Sequence, residues 1–352
     1  MFPLSSDILT LTDEAAVLAE RGRIRFANAG ARECLGEDCV GKSVAAAFGP
    51  EIAGMQAPTF AADVPLPGGR RIVRVSRAEG AELIFLSRPE PKPELVSGAF
   101  LYAMRSQLSS LSLANEQLRG RAETLGDEAL SADLAAANKC YFSFARLLSN
   151  AANAYAIFKN ELAVKPTAVD PAGVCSALAD TLGALLPDLR FCVRAEARPI
   201  VWADMELLHC LLLNLVSNSV RHGTGLTTVS LGVMSTNEHV ILSVSDDGCG
   251  IRADQLHSIF CRYRSGFSLN DLSAGAGLGL TVVRGIAEAH GGILLLESRE
   301  GSGTTVRVSL SRGVGHEKLR AEQPAYLCGM RELLTGLADC LPTDAFRESY
   351  MD

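Results

Sequence analysis

No histidine precedes His209, the first of six in this 352-residue chain. More than half of the protein therefore lacks the side chain best suited to proton or phosphoryl transfer near neutral pH. C-x-x-C pairs are also missing, although there are ten cysteines. Cys34 and Cys39 are nearest neighbours and no histidine lies near them, which excludes an ordinary zinc site. Reduced, mostly buried thiols acting as small hydrophobes are expected instead. There is no basic excess: the net charge is −7, against a nucleic-acid binder, which needs a basic face. Long apolar runs are absent too. The densest, 207–216, is interrupted by His209 and Asn214 and is too short to span a bilayer. The amino terminus has neither the basic start nor the apolar core of a signal peptide, so a cytoplasmic protein without membrane association is expected.

What is present is globular: 48% hydrophobic and 21% charged residues, over a length that allows two or three cores. Residues 1–88 alternate short apolar strands with turns. Val17-Leu18 and Ile24–Phe26 flank Arg21-Gly22, a helix follows over 29–35, and strands over 71–75 and 83–86 flank Gly80. The proline-alternating segment 89–94 is a stiff boundary within a linker over 89–95. Residues 96–165 read as a helical hairpin turning near Gly126-Asp127. Its stripes are Leu101, Met104, Leu108, Leu111 and Leu118, then Leu130, Leu134, Ala137, Tyr141, Phe144, Leu148, Ala151, Tyr155, Phe158 and Leu162. Two helices bury only a narrow core, so a four-helix bundle with a second copy is expected, the alternative being packing on neighbouring domains. Residues 166–312 mix helices over 170–185, 204–221 and 278–290 with short strands near 191–193, 200–202, 227–234, 239–245, 293–298 and 305–310. In the tail, 313–352, Met330, Leu333, Leu334, Leu337 and Leu341 form an amphipathic helix expected to pack on its own chain.

Three clusters carry chemistry. Asn214 and Asn218 stand four apart on one helix, with Arg221 extending the stripe. Amide oxygens suit a hard cation, and a guanidinium suits phosphate. Asp246 ends a strand ahead of Gly248 and Gly250; a carboxylate there accepts from an adenine amine and repels a guanine carbonyl. Gly275, Gly277 and Gly279 open a helix, where backbone amides attract phosphate. The first two have ordinary readings alone, a polar helix face and an Asp-Gly hairpin turn, and the third is not the dinucleotide-binding G-x-G-x-x-G spacing. Their order and spacing together are specific.

The combination resembles the ATP-binding domain of sensor histidine kinases, in the wider group that includes gyrase-type ATPases. The resemblance covers an N box (Asn214, Asn218), a first glycine box (Asp246, Gly248, Gly250), a phenylalanine box (Phe260, Tyr263), a second glycine box (Gly275, Gly277, Gly279) and a third (Gly301, Gly303, Thr304). It implies ATP and Mg2+ as cofactors, Asn218 as the metal ligand, Asp246 as the adenine contact and 252–277 as a lid. The hydrolytic members carry a glutamate base where this chain has Asn214, which favours phosphotransfer over water activation and disfavours a chaperone-like or topoisomerase-like ATPase. The run Gly22–Ala29, with Leu35-Gly36 and Val40–Ser43, is similar to a PAS sensory domain. The fold class so implied is α+β multidomain: a PAS-like α/β sensor, a hairpin forming a dimeric four-helix bundle, and a two-layer α/β sandwich. Implied partners are a second copy through 96–165 and a response regulator or related signalling protein.

That family phosphorylates a histidine on the first hairpin helix, in a His-Glu-x-Arg-Asn/Thr-Pro-Leu pattern. The best register here is Tyr102-Ala103-Met104-Arg105-Ser106-Gln107-Leu108, with only Arg105 and Leu108 in agreement. Tyr102 replaces the acceptor and Ala103 the acidic base. A phenol with an ordinary pKa of about 10 is a poor nucleophile without activation. Two readings stand: a signalling kinase acting on an unusual acceptor, or a pseudokinase that binds nucleotide and signals by conformation.

Overall fold

The structure is a computed structural model that describes residues 9, 12, 14–67, 69–78, 80–87, 98–196, 198–252, 255–256, 278–312 and 329–347. The amino-terminal module begins with a hairpin, β1 (Ala15–Glu20) and β2 (Arg23–Ala27). Helix α1 (Ala29–Leu35) follows, with Asn28 accepting from the Ala31 amide as its cap. Two short helices, α2 (Val44–Phe48) and α3 (Pro50–Gly54), lead to β3 (Thr59–Val64), β4 (Arg71–Ala78) and β5 (Ala81–Leu86). Strand β3, α2 and α3 are absent from the sequence reading. The TFAADV run of β3 carries two alanines and an aspartate, poor strand formers, and gives no period-2 signal.

Helices α4 (Gly98–Leu125) and α5 (Glu128–Phe158) form the hairpin. Gly126 turns it at φ 61°, and Asp127 caps α5 by accepting from the Ala129 and Leu130 amides. After β6 (Thr167–Val169) come α6 (Pro171–Leu185), β7 (Arg190–Ala195), β8 (Val201–Ala203) and α7 (Met205–His222), the last capped by Asp204. The hairpin β9 (Thr228–Ser235) and β10 (His239–Asp246) precedes α8 (Leu278–Ala289), β11 (Leu294–Ser298) and β12 (Thr304–Ser311). Tail helix α9 (Met330–Leu337) then packs on α5 and α7. Leu333, Leu334, Leu337 and Leu341 are buried in the same core as the rest of the domain, so the tail does pack on its own chain.

In β9 and β10 alternate residues are buried: Val229, Leu231 and Val233, then Val240, Leu242 and Val244. One face of this sheet thus meets the helices, as period-2 patterning dictates. The pairing of β7 with β9 is parallel and the others are antiparallel, which makes the sheet mixed.

The sheets of the two modules are continuous, in the order β2-β1-β5-β4-β3-β11-β12-β10-β9-β7. Ala62, Ala61 and Phe60 of β3 lie opposite Leu295, Leu296 and Glu297 of β11. Successive side chains point to opposite faces. Ala61, Leu294 and Leu296 accordingly enter the core of the carboxyl-terminal domain, while Phe60, Ala62 and Leu295 enter that of the amino-terminal module. The two cores lie on opposite faces of one sheet.

Among the described cysteines all are free, but only Cys39 and Cys175 are buried; Cys140 and Cys249 are exposed. Cys34, Cys192, Cys210 and Cys340 are half-buried, and Cys34 and Cys210 pack against the two cores as small hydrophobes do.

Candidate functional site

The site forms where the carboxyl end of β10 meets the last turns of α7. Asp246 is the final residue of β10. Its Oδ1 accepts from the backbone N–H groups of Gly248 and Thr304, both at 3.1 Å, and its Oδ2 accepts from Ser219 Oγ at 3.0 Å. A carboxylate offers about four lone-pair positions. Three are filled by the protein, which fixes the group and leaves room for one incoming donor. Gly248 makes this possible by close approach: a Cβ there would lie 2.6 Å from the Gly223 Cα. On the other side Gly303, at φ 85°, leaves no space for a Cβ against the Asp246 carbonyl. Gly250 sits likewise against the Arg299 carbonyl. Glycines 248, 250 and 303 thus clamp the β10 end between α7 and the 299–303 turn.

Asn218 and Arg221 lie on α7 below this clamp, Asn218 half-buried. A single neutral amide oxygen fits a magnesium ion that keeps water and phosphate oxygens as its other ligands. Among the described residues no group of three His, Cys, Asp or Glu side chains could hold a metal by itself. Asn214 is a different matter from the exposed amide implied by its place on the stripe. It is buried, donating from Nδ2 to the Cys210 carbonyl at 2.8 Å and accepting at Oδ1 from Asn150 Nδ2 at 3.1 Å. The physical reason is that α5 of the hairpin crosses α7 at this point and satisfies the amide. Gly279 opens α8 beside it, since a Cβ there would lie 2.9 Å from Asn214 Oδ1. Arg221 faces the tail, with Nη1 3.6 Å from Asp339. Thr304 contributes its backbone amide to Asp246 and its hydroxyl to a 2.9 Å contact with Ser298 Oγ. Phe260, Tyr263, Gly275 and Gly277 lie outside the described residues, as does most of the proposed lid 252–277. Tyr102, on the first turns of α4, is 77% exposed.

Residues 203–313 match the family described as histidine kinase-, DNA gyrase B-, and HSP90-like ATPases. The carboxyl-terminal domain belongs to this family. The chain is 38% identical over 119 residues to the sensor protein IrlS of Burkholderia pseudomallei, covering 34% of this chain and 25% of that protein. It is 38% identical over 121 residues to the sensor histidine kinase ZraS of Escherichia coli, covering 33% and 24% respectively. The chain thus spans about a quarter of the length of these curated relatives. Among solved structures, the ATP-binding domain of PrrB from Mycobacterium tuberculosis aligns at 24% identity and a TM-score of 0.34, over 42% of this chain and 98% of its own.

Within the ATPase domain two adjacent carboxylates are set apart by their surroundings. Burial raises Asp246 above its ordinary 3.8, against the lowering effect of the bonds from Gly248, Ser219 and Thr304. At Asp247 a slight burial raises the carboxyl, and the bonds from the Thr227 hydroxyl, the Thr227 amide and the Thr228 amide overcome it, holding the group down at about 2. Burial, then the charges of Arg221 and Arg146, lower His222 at the end of α7. Ser219, Asn150, Arg146 and Asp339 went unnoticed in the sequence reading. Ser219 had a weak signal, lying next to Asn218 on a helix turned toward Asp246. The other three come from segments distant in the chain and had none.

Proposed function

We propose that this chain binds magnesium-ATP and serves ATP-dependent protein phosphotransfer in two-component signalling, as a cytoplasmic homodimer acting with a response regulator or related signalling protein. The observation that carries the reading is the braced Asp246 carboxylate, with one lone-pair position left for an adenine amine. Asn218 is the magnesium ligand in this reading. Arg221 holds phosphate, Gly279 opens the phosphate-facing helix, and Asn214 acts as a buried support rather than a direct ligand. Phe260, Tyr263, Gly275 and Gly277 belong to the lid over 252–277. The amino-terminal module 1–88 is a PAS-like sensor: its five strands enclose a core of their own, with α1, α2 and α3 inserted between β2 and β3. Leu111, Leu118 and Leu125, spaced by sevens, are exposed along α4, and Phe144 is exposed on α5. This supports burial of the hairpin against a second copy in a four-helix bundle. No helix among the described residues is long and apolar enough to cross a membrane.

A second reading, the pseudokinase, is favoured by the hairpin's lack of histidine and by Tyr102 at the acceptor position beside Ala103. The test is titration calorimetry with ATP, followed by incubation with labelled ATP and Mg2+. Binding is expected, and Asp246→Asn should weaken it about ten- to a hundredfold, the effect of losing a charged hydrogen bond. Acid-stable label lost in Tyr102→Phe supports tyrosine as acceptor. Binding without any label, even with candidate receiver proteins present, selects the pseudokinase. Absence of binding removes both.

A further inference from the structure

The hairpin, α7 and the tail meet at a cluster of which the nucleotide reading uses only Arg221. Asp339, just beyond α9, accepts from Arg146 Nη1 of α5 at 2.6 Å and lies 3.6 Å from Arg221 Nη1 of α7. The side chains are 25%, 9% and 34% exposed respectively. Arg146 is thus a nearly buried guanidinium that arrives from another part of the chain to share one carboxylate with the last turn of α7. That turn also carries Ser219, which braces Asp246, and Arg221 lies three residues beyond Asn218 on the same helix. The arrangement around Asp339 is held by its neighbours. Cys340 Sγ lies 3.1 Å from Ser217 Oγ, Lys139 Nζ donates to the Leu341 carbonyl at 2.8 Å, and Gly336 packs flat on Leu213. A planar acid between two arginines is the geometry in which guanidinium groups also receive phosphate.

We propose that Arg146 and Arg221 together form a receptor for the phosphate end of the nucleotide, and that Asp339 occupies it as an intramolecular carboxylate which the triphosphate displaces. The inference rests on the nucleotide reading above and adds to it a binding residue from the hairpin and a competitor from the tail. The apolar face of α9 remains docked when the carboxylate yields, because Leu333, Leu334 and Leu337 are buried independently of the charges. Only the segment around Asp339 has to move. Differential affinity for the two arrangements is what couples nucleotide to tail.

The full chain is titrated with ATP and, separately, with adenosine, which lacks phosphate. Asp339→Asn is expected to tighten ATP about five- to tenfold, in the range of ordinary coupling between sites, and to leave adenosine unchanged. Adding Arg146→Gln should cancel the gain. Unchanged or weaker ATP binding in Asp339→Asn overturns the proposal while leaving the nucleotide site standing. An equal gain for adenosine also overturns it, because the tail would then obstruct the whole pocket. If neither ligand binds the unsubstituted chain, the nucleotide reading itself has failed and this one falls with it. Hydrogen exchange on the unsubstituted chain needs no variant to fold. ATP should speed exchange in the peptide containing Asp339, and an unchanged rate overturns the displacement.

Discussion

Two of the seams that hold the ATPase domain to the rest of the chain differ in construction. At the β3–β11 seam the backbone itself is paired, and alternate side chains feed two cores. The central charges there, Asp63 and Arg284, are sunk as well, with Arg70 and Glu288 half-buried beside them. Asp63, 1% exposed, lies 3.4 Å from both Arg70 and Arg284, and Glu288 lies 2.9 Å from Arg70 and 3.4 Å from Arg284. At the tail seam Arg146 is nearly buried, but Arg221 and Asp339 sit at the rim of an apolar contact and keep access to water. A buried pair that loses one partner leaves an uncompensated charge, whereas a rim pair can exchange one partner for another. The first seam therefore belongs to the permanent fold. The second is built to be contested by a ligand.

The sharpest way to break this contrast is at Asp63. Asp63→Ala leaves Arg70 and Arg284 facing each other with Glu288 as their remaining acid. A loss of about 3–5 kcal/mol is expected, the usual consequence of removing one partner of a buried ion pair. Urea unfolding measures it, and hydrogen exchange should show β11 losing protection together with β3. A variant as stable as the parent would mean that the seam contributes nothing to the fold. At the tail seam, Asp339→Asn should cost less, about 1–2 kcal/mol, because the amide still accepts from Arg146. If it costs as much as Asp63→Ala, the two seams are not different in kind and the tail is structural.

The seams also mark where the chain was readable. Within the ATPase domain nearly every element follows from local signals. Asp170 and Asp204 cap helices α6 and α7, alternation marks β9 and β10, and Gly291 stops α8. The Asp246 clamp was legible because its glycines lie within a few residues of the carboxylate or of the facing turn. Neither seam could be read in this way. Strand β3 gives little alternation, since Ala61 and Ala62 fall on opposite faces and both faces are covered, one of them with the ion-paired Asp63. Asp339 is an unremarkable acid after an amphipathic helix, and its partners Arg146 and Arg221 are far off in the chain. Asn214 shows the same limit: it shares a helix with Asn218, but it alone of the stripe is covered by Asn150 from the hairpin. Local pattern gives the elements, and packing between distant segments decides which polar groups remain available.

The smallest effect separates two neighbouring acids rather than two seams. In folded protein the Asp246 carboxyl is raised by burial above its ordinary 3.8. Just above that pH the folded state holds a proton that the unfolded chain has released, so this group's contribution is fully present below 3.8 and declines as pH rises through the folded value. Asp247 works in the opposite sense. Held at about 2 by the Thr227 and Thr228 donors, it contributes stability above 3.8 that is lost as pH falls toward 2. Because Asp247 is exposed, solvent screening keeps its share small. Urea midpoints taken across this acid range should therefore show opposite changes. Asp247→Asn should flatten the loss below 3.8, and Asp246→Asn should remove part of the decline above it. If Asp246→Asn leaves the upper limb as it was, the carboxylate is better solvated than its three protein donors imply. The fourth lone pair would then already be taken by water, and an adenine amine would have to displace that water rather than fill an open position.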